Sequence, residues 1–468
     1  MRALFLLLIF LGLPALAGET VNDVTGLNPI EVAQVIAPTE LEQIVAAVKQ
    51  HSGPISIGGG RFSMGGQTAT DGALQIDMRD FDQVLEFSAE RREIRVQTGI
   101  TWREILEYID PHGLSPQIMQ SYANFTVGGS LSVNVHGRYV GEGPLIGSVR
   151  SIRLVLADGS LVDASPSQNS ELFHAPIGGY GGLGVIVEAT LGLAENSRIA
   201  RESKVMPLAE YRAWFDQEVR DKTDLVLHNA ILYPGSFDKV RAVSYRRTEA
   251  ALTELQRLTP ADRSYYLQHA GIRLTSSSRT GRALREAALD PLLFRGELVQ
   301  WRNREASLDV RELDPISGPD FSFVLQEYFV PPHQLERFVG ELARLTRQHD
   351  ANLINISIRH AKADPGTLLA WAPEEVFALV LYYRQGSSAA DRNRAAAWTR
   401  DLIDAALACG GRYYLPYQIH ASREQFLAAY PRAPEFFALK QRLDPGYKFR
   451  NRLWDTYYSP FSSSSLAR

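Results

Sequence analysis

Gly58-Gly59-Gly60-Arg61-Phe62-Ser63-Met64-Gly65-Gly66-Gln67 follows directly on a short strand signal, Pro54-Ile55-Ser56-Ile57. Glycine has no Cβ, so the backbone N–H groups of such a loop can approach a phosphate closely. Arg61 and Ser63 add side-chain donors. Two further stretches share this texture. Asn124-Phe125-Thr126-Val127-Gly128-Gly129-Ser130-Leu131-Ser132 runs through Val133 into Asn134-Val135-His136-Gly137, and Gly178-Gly179-Tyr180-Gly181-Gly182-Leu183-Gly184 enters a strand. One glycine cluster is ordinarily a turn. Three of them in the first 190 residues, each beside a strand, point to a long phosphate-bearing ligand. Neither a Walker A sequence nor Gly-x-Gly-x-x-Gly between a strand and a helix is present, which argues against a P-loop NTPase and a Rossmann dehydrogenase.

Around these loops the chain alternates helix and strand. Thr39 as N-cap and Glu42 form a capping box for a helix whose apolar face is Leu41, Ile44, Val45 and Val48. Leu74–Asp77 and Glu93–Gln97 read as strands, and Thr101 with Glu104 caps a helix through Ile109. A strand over Ser151–Leu156 turns at Asp158-Gly159, and another runs from Gly184 to Leu191. Beyond residue 200 glycine thins and arginine rises. Helices are expected over 207–221, 248–258, 333–349 and 388–408, and strands over Phe321–Val330, Asn352–Arg359 and Val376–Arg384. That order suggests an antiparallel sheet with helices on one face. Residues 260–320 read as irregular, aromatic and Arg-rich, which means a functional loop or disorder. The fold class is α+β.

Composition narrows the function. The 468 residues leave room for two or three domains. With 45% hydrophobic and 22% charged residues, the chain is neither disordered nor a coiled coil. A formal charge of −4 gives no basic excess to call for nucleic acid. Cys409 stands alone, so there is no intramolecular disulfide and no Cys-rich zinc site; the bland reading is a buried structural thiol. The ten histidines show no His-x-His or His-Glu-x-x-His spacing, so no metal site is expected, and Gly-x-Ser-x-Gly is absent. Met1 to Ala17 read as a secretory signal peptide: Arg2, an apolar stretch over 3–13, Pro14, then Ala15-Leu16-Ala17. The expected location is periplasmic or secreted, with no stable membrane span after cleavage. Residues 461–468 read as a disordered tail.

Taken together, the motifs resemble the flavin-binding domain of the vanillyl-alcohol oxidase superfamily (PCMH-type). The matching pieces are Gly58 to Gln67, Val96-Gln97-Thr98-Gly99, Thr126 to Gly137, Leu154 to Gly159, Asn169 to Phe173 and Gly181 to Val187. Leu443-Asp444-Pro445-Gly446-Tyr447-Lys448-Phe449 resembles that superfamily's C-terminal return to the flavin domain. Nearest are decaprenylphosphoryl-ribose oxidases, sugar-lactone and alditol oxidases, and sterol Δ24-reductases. The resemblance implies an FAD-binding part over 18–200, a substrate-binding cap over 201–410 and a return over 411–460. It implies FAD, with Gly58, Gly59, Gly60, Arg61, Phe62 and Ser63 at the pyrophosphate. Thr126, Gly128, Gly129, Ser132, Val133, Val135, His136 and Gly137 would line the ribityl chain and flavin ring, and Ile186 would supply backbone contacts. Many relatives carry Gly-His-Ser in the first loop, with the flavin bonded to the His. Phe62 stands in that place here, so non-covalent FAD is expected. Val135, with its side chain toward the ring, would restrict dioxygen.

For the reacting end, lactone and alditol oxidases place a Glu-x-Arg strand motif over the flavin. Ile356-Ser357-Ile358-Arg359 resembles it, with Ser357 in place of the Glu. Arg359 would stabilise an alkoxide or a reduced flavin anion. In Arg412-Tyr413-Tyr414-Leu415-Pro416-Tyr417-Gln418-Ile419-His420, one alignment keeps Tyr414 near the flavin and puts Tyr417 at the active-site Lys; the other puts Tyr417 at the His and His420 at the Lys. Arg359 would lower the Tyr417 pKa for proton relay. The expected activity is hydride transfer from a carbon-bound hydroxyl of a polyol, sugar or related alcohol to FAD. Dioxygen or a respiratory electron acceptor would reoxidise it. The alternatives are a C–C bond reductase or desaturase on a sterol-like or lipid-linked substrate, and a non-catalytic flavin-binding protein.

Overall fold

The computed structural model describes residues 18–313 and 318–459; the signal peptide expected over 1–17 and the tail over 461–468 lie outside the described residues. A small parallel sheet of Gln34–Ile36, Leu74–Asp77 and Ile55–Gly58 opens the fold. Helix Leu41–Gln50 covers it, burying Ile44 and Val48. This helix begins one residue later than the Thr39–Glu42 box predicts. Glu40 is the N-cap, because Gln43 Oε1 accepts from the backbone N–H groups of both Thr39 (2.8 Å) and Glu40 (3.2 Å). The Thr101–Glu104 box forms as expected on helix Trp102–Ile109. A second, antiparallel sheet runs in the order Leu161–Ala164, Val149–Val155, Val185–Glu195, Glu93–Gln97, Val84–Ser88. The first glycine loop leaves the carboxyl end of parallel strand Ile55–Gly58, where open α/β sheets place their ligands.

The chain's end returns to this sheet. Phe449 bridges Ile55 in parallel, the Ile55 N–H donates to the Lys448 carbonyl (2.7 Å) and the Arg450 N–H to the Ile55 carbonyl (2.9 Å). Lys440, fully buried, donates to the carbonyls of Gly182 (2.6 Å) and Phe449 (2.8 Å) and pairs with Asp444 (3.0 Å). One ammonium thus joins the third glycine loop to the returning segment.

Between these parts lies an eight-stranded antiparallel sheet in the order Val299–Trp301, Arg198–Pro207, Lys239–Arg247, Leu225–Leu232, Leu353–Ala361, Val376–Gly386, Phe321–Val330, Arg412–Tyr413. Helices Leu208–Glu218, Leu335–Gln348 and Ala389–Ala408 pack on one face. Their core residues include Phe215, Phe338, Leu342, Trp398 and Leu402. Two expectations fail in this half. Residues 248–258 form no helix: the N–H groups of Thr253 and Glu254 both donate to the Val299 carbonyl, while Arg257 pairs with Asp110 and lies 4.3 Å over the Trp301 ring. Tertiary partners override the local propensity there. The described residues of 260–320 are not irregular: they hold helices Tyr266–Ser277, Arg279–Leu284, Asp290–Leu293 and Arg302–Ala306. Ile272 of the first packs on Phe323, Ile354 and Tyr382, so helices are not confined to one face of the sheet.

Candidate active site

The three glycine loops face the remaining surface of the eight-stranded sheet across a cleft with about 1840 Å³ of empty space. Every expected cofactor residue lines it except Gly137. A Cβ on Gly137 would sit 2.2 Å from the Met119 carbonyl oxygen, so that glycine serves close packing rather than the cleft wall.

The first loop is built as an anion cradle. The backbone N–H groups of Gly59, Gly60, Arg61, Phe62 and Ser63 donate to no acceptor among the described residues. Consecutive free N–H groups in a turning backbone form a concavity for phosphate oxygens. Arg61 is in the left-handed region at φ 59°, and its guanidinium is held by Asp77 (2.9 Å) with Nε unpartnered. Burial pulls the Asp77 pKa up. Hydrogen bonds from the Arg79 side chain and N–H, with the Arg79 and Arg61 charges, outweigh it and hold the carboxyl below its usual range. The second loop closes tightly on the first: a Cβ on Gly59 would lie 2.2 Å from Thr126 Oγ1. Thr126 caps helix Val127–Val133, accepting from the Gly129 N–H (3.2 Å). Thr98 donates to the Ile186 carbonyl (2.6 Å), fixing the third loop's exit strand beside the second. Arg450 and Asn451 of the returning segment complete the wall. Phe62 stacks on Phe125 with centroids 4.3 Å apart, which gives its side chain a packing role.

The sheet wall carries a charged group that sequence reading missed. Glu327, only 2% exposed on strand Phe321–Val330, lines the cleft. One carboxylate oxygen is hydrogen-bonded to His136 Nε2 at 2.6 Å; the other accepts the Tyr417 hydroxyl at 3.2 Å. Glu327 pairs with Val380, and Val380 with Ser357, so the carboxylate stands on the same rung as Ser357, two strands across. The available signal was a Gln-Glu pair inside an otherwise apolar strand, Phe321-Ser322-Phe323-Val324-Leu325-Gln326-Glu327-Tyr328-Phe329-Val330. Arg359 also lines the cleft; its guanidinium has no hydrogen-bond or ion-pair partner among the described residues. Burial lowers its pKa, opposed first by the Glu327 charge.

Tyr417 and Tyr414 reach the cleft as expected, Tyr414 with its hydroxyl on the Val133 carbonyl (2.8 Å). The expected lowering of the Tyr417 pKa does not occur. Burial, then the Glu327 charge, raises it well above the ordinary phenol value, and Arg359 opposes this only in part. Two expected catalytic residues lie outside the cleft. Ser357 is half-buried on the strand face that carries Arg359 but contributes nothing to the lining. His420 lies against helix Ala389–Ala408, where Arg400 holds its backbone carbonyl (3.2 Å); burial, then the Arg400 charge, lowers its pKa to about 4. Cys409 ends that same helix, buried, with burial raising its pKa. Among the described residues no three His, Cys, Asp or Glu side chains gather as a metal site.

A parallel-sheet phosphate cradle, a second sheet of cap strands and a returning C-terminal segment define a two-part dinucleotide-binding flavoprotein fold. Residues 31–165 match the family described as FAD binding domain. L-gulonolactone oxidase of Mus musculus is 29% identical over 166 residues, 36% of this chain and 38% of that protein. Mitochondrial L-galactono-1,4-lactone dehydrogenase of Brassica oleracea is 27% identical over 42% of this chain and 33% of that protein. Decaprenylphosphoryl-beta-D-ribose oxidase of Mycolicibacterium smegmatis is 22% identical over 88% of this chain and 92% of that protein. The match to the two lactone enzymes spans only about a third to two fifths of their length. The chain belongs to the PCMH-type FAD oxidoreductase superfamily, and FAD is its cofactor. The free N–H row of residues 59–63 and the glycine-lined wall fit that group.

Proposed function

We propose that this chain is an FAD-dependent oxidoreductase acting on a CH–OH group of a sugar, polyol, lactone or related alcohol. The observation that carries this is Glu327, a buried carboxylate that holds the Tyr417 hydroxyl in the cleft that Arg359 also lines. Bound FAD supplies the two-electron acceptor. The chain's own residues do the rest. Arg359 holds the substrate oxygen and stabilises negative charge on it. Tyr417, too weak an acid to ionise, relays: its oxygen takes the substrate hydroxyl proton as its own proton passes to Glu327 Oε2. His136, on the other carboxylate oxygen, keeps Glu327 aimed. The carboxylate that Ser357 does not provide is thereby supplied from the same rung, two strands across. The similarity to an L-gulonolactone oxidase and an L-galactono-1,4-lactone dehydrogenase supports an alcohol or lactone donor.

A second reading of the substrate, a lipid-linked sugar, is favoured by the apolar sheet wall of Phe323, Leu325, Val380 and Tyr382 and by the long match to the decaprenylphosphoryl-ribose enzyme. A C–C desaturase or reductase also moves a proton and would use the same Glu327–Tyr417 pair, so bleaching by alcohols is what distinguishes the two reactions. Phe62 supports non-covalent FAD. Dioxygen or a respiratory carrier is the proposed oxidant, and the Met1–Ala17 sequence supports a periplasmic or secreted location.

The test is anaerobic bleaching of the bound flavin by a panel of sugars, lactones and polyols, in wild type and Glu327→Gln. A positioned general base contributes about 10²–10⁴-fold. We expect the variant to keep FAD and to bleach at least about 100-fold more slowly. Equal rates would remove Glu327 from the chemistry, and a flavin that no alcohol bleaches would overturn the reading.

A further inference from the structure

We propose that the helical run from Tyr266 to Leu293 is a docking face for the surface of an anionic lipid bilayer. This goes beyond the function proposed above and does not depend on which alcohol is oxidised. Large apolar side chains are ordinarily scattered singly over a protein surface. Here Tyr266 (69% exposed), Leu267 (80%), Leu292 (64%) and Leu293 (68%) stand open to solvent within one run of helices, with Leu284 nearly half exposed between them. Helix Tyr266–Ser277 is turned against the usual sense. His269, Ile272, Thr275 and Ser276 face the protein, while Tyr266, Leu267 and Arg273, about two turns apart on the opposite side, face outward. A soluble surface has no use for that orientation; an interfacial helix does.

Charge fixes the partner's chemistry. Residues 263–295 hold six arginines against Glu286 and Asp290, a local excess of +4 in a chain whose total is −4. Arg273 and Arg295 are exposed and have no acidic partner among the described residues. Free guanidinium groups beside exposed leucines match an anionic headgroup layer over hydrocarbon. The face lies on the surface only: no described helix is long and apolar enough to cross a membrane. It also borders the cleft. Ile272 packs on Phe323 and Tyr382, both in the cleft wall, and His269 holds the Arg311 carbonyl (2.6 Å) of the turn Val310–Leu313, whose two end residues line it. Docking therefore brings the cleft mouth to the bilayer.

The FAD-loaded full chain is mixed with vesicles of phosphatidylcholine alone, or of phosphatidylcholine and phosphatidylglycerol in equal parts, and the vesicles are floated through a density gradient. We expect the flavin colour to float with the anionic vesicles and not with the neutral ones. Leu267→Ser with Leu293→Ser, both on the surface, should abolish flotation. Arg273→Gln should weaken it about fivefold and salt should reverse it. Flavin content and turnover of a freely dissolved substrate should be unchanged in all variants, which separates this proposal from the catalytic one. Equal flotation with both vesicles, or flotation unaffected by the leucine pair, would overturn it. So would concentration-dependent self-association lost in the same variants without any vesicle binding.

Discussion

Tyr417 and Glu327 act as a unit, and the geometry says how each should fail. The Tyr417 hydroxyl is the one hydrogen-bond partner of Glu327 Oε2 among the described residues. Tyr417→Phe keeps the ring and its edge contact with Tyr414 (5.9 Å) while removing that link. Stopped-flow flavin reduction should slow by about 10²-fold or more with little change in substrate affinity, because the loss falls on proton transfer. The double variant with Glu327→Gln should be no slower than the worse single one; additive losses would mean two separate roles. Phe62 makes a second residue-scale prediction. Phenylalanine offers no nucleophile, so acid precipitation should leave the protein white and the supernatant yellow. Colour in the pellet would show a covalent flavin. The glycine loops, Arg359 and Tyr417 were legible in the sequence because each is a local pattern. Glu327 was not, since its place opposite Ser357 depends on which strand lies beside which. His420 was misread for the complementary reason: motif alignment put it at the reacting end, three residues past Tyr417, but the backbone turns it onto the Arg400 helix.

At the scale of elements, the cradle depends on a segment more than 250 residues away. Lys440 is fully buried and spends its three donors on Gly182, Phe449 and Asp444. Asp444 in turn accepts from the N–H groups of Lys448 (2.7 Å) and Phe449 (2.9 Å). Burial lowers the Lys440 pKa and the Asp444 charge opposes that. Lys440→Met leaves a buried carboxylate without its cation, a loss of about 3–5 kcal/mol. The melting temperature should fall, and FAD should dissociate more readily, because Gly181, Arg450 and Asn451 all line the cleft. Lys440→Met with Asp444→Asn should recover part of the stability; no recovery would mean that the lost carbonyl bonds to Gly182 and Phe449, not the stranded charge, carry the effect. The Leu443–Phe449 motif was readable as a return to the flavin domain, yet its anchor was not, because Lys440 reads as one more surface lysine. Elements with caps and regular periodicity were legible to within about four residues, the strand expected to end at Leu191 running on to Glu195. The helices of 260–320 were not, because their leucines point outward and blur the periodicity on which recognition rests.

Over the whole molecule, pH should act first through two buried histidines, His228 and His420. His228 is 3% exposed, and both ring nitrogens are engaged, one with the Tyr211 hydroxyl (2.9 Å) and one with Ser244 Oγ (2.8 Å). Burial, then repulsion from His360, lowers its pKa to about 3, and His420 is lowered to about 4. The unfolded chain takes up a proton at each site as pH drops below about 6.5, while the folded chain does not until each depressed value is reached. The contribution to stability is therefore whole above about pH 6.5 and is lost as pH falls toward 4 and then 3. Between about pH 7 and pH 5 each histidine should remove roughly 2 kcal/mol of folding stability. Depressed carboxylates such as Asp77 stay ionised over that interval, so they add nothing to it. Urea unfolding of the FAD-loaded protein, at one fixed excess of FAD so that ligand binding does not shift the baseline, should show a midpoint that is flat above pH 7 and falls steadily from 6.5 to 5. His420→Gln, at a site outside the cleft, should remove about one proton's worth of that slope and leave flavin reduction unchanged. A midpoint that stays level to pH 5 would mean that these imidazoles are already charged in the folded protein. Loss of flavin reduction in His420→Gln would return that residue to the active site from which its position now separates it.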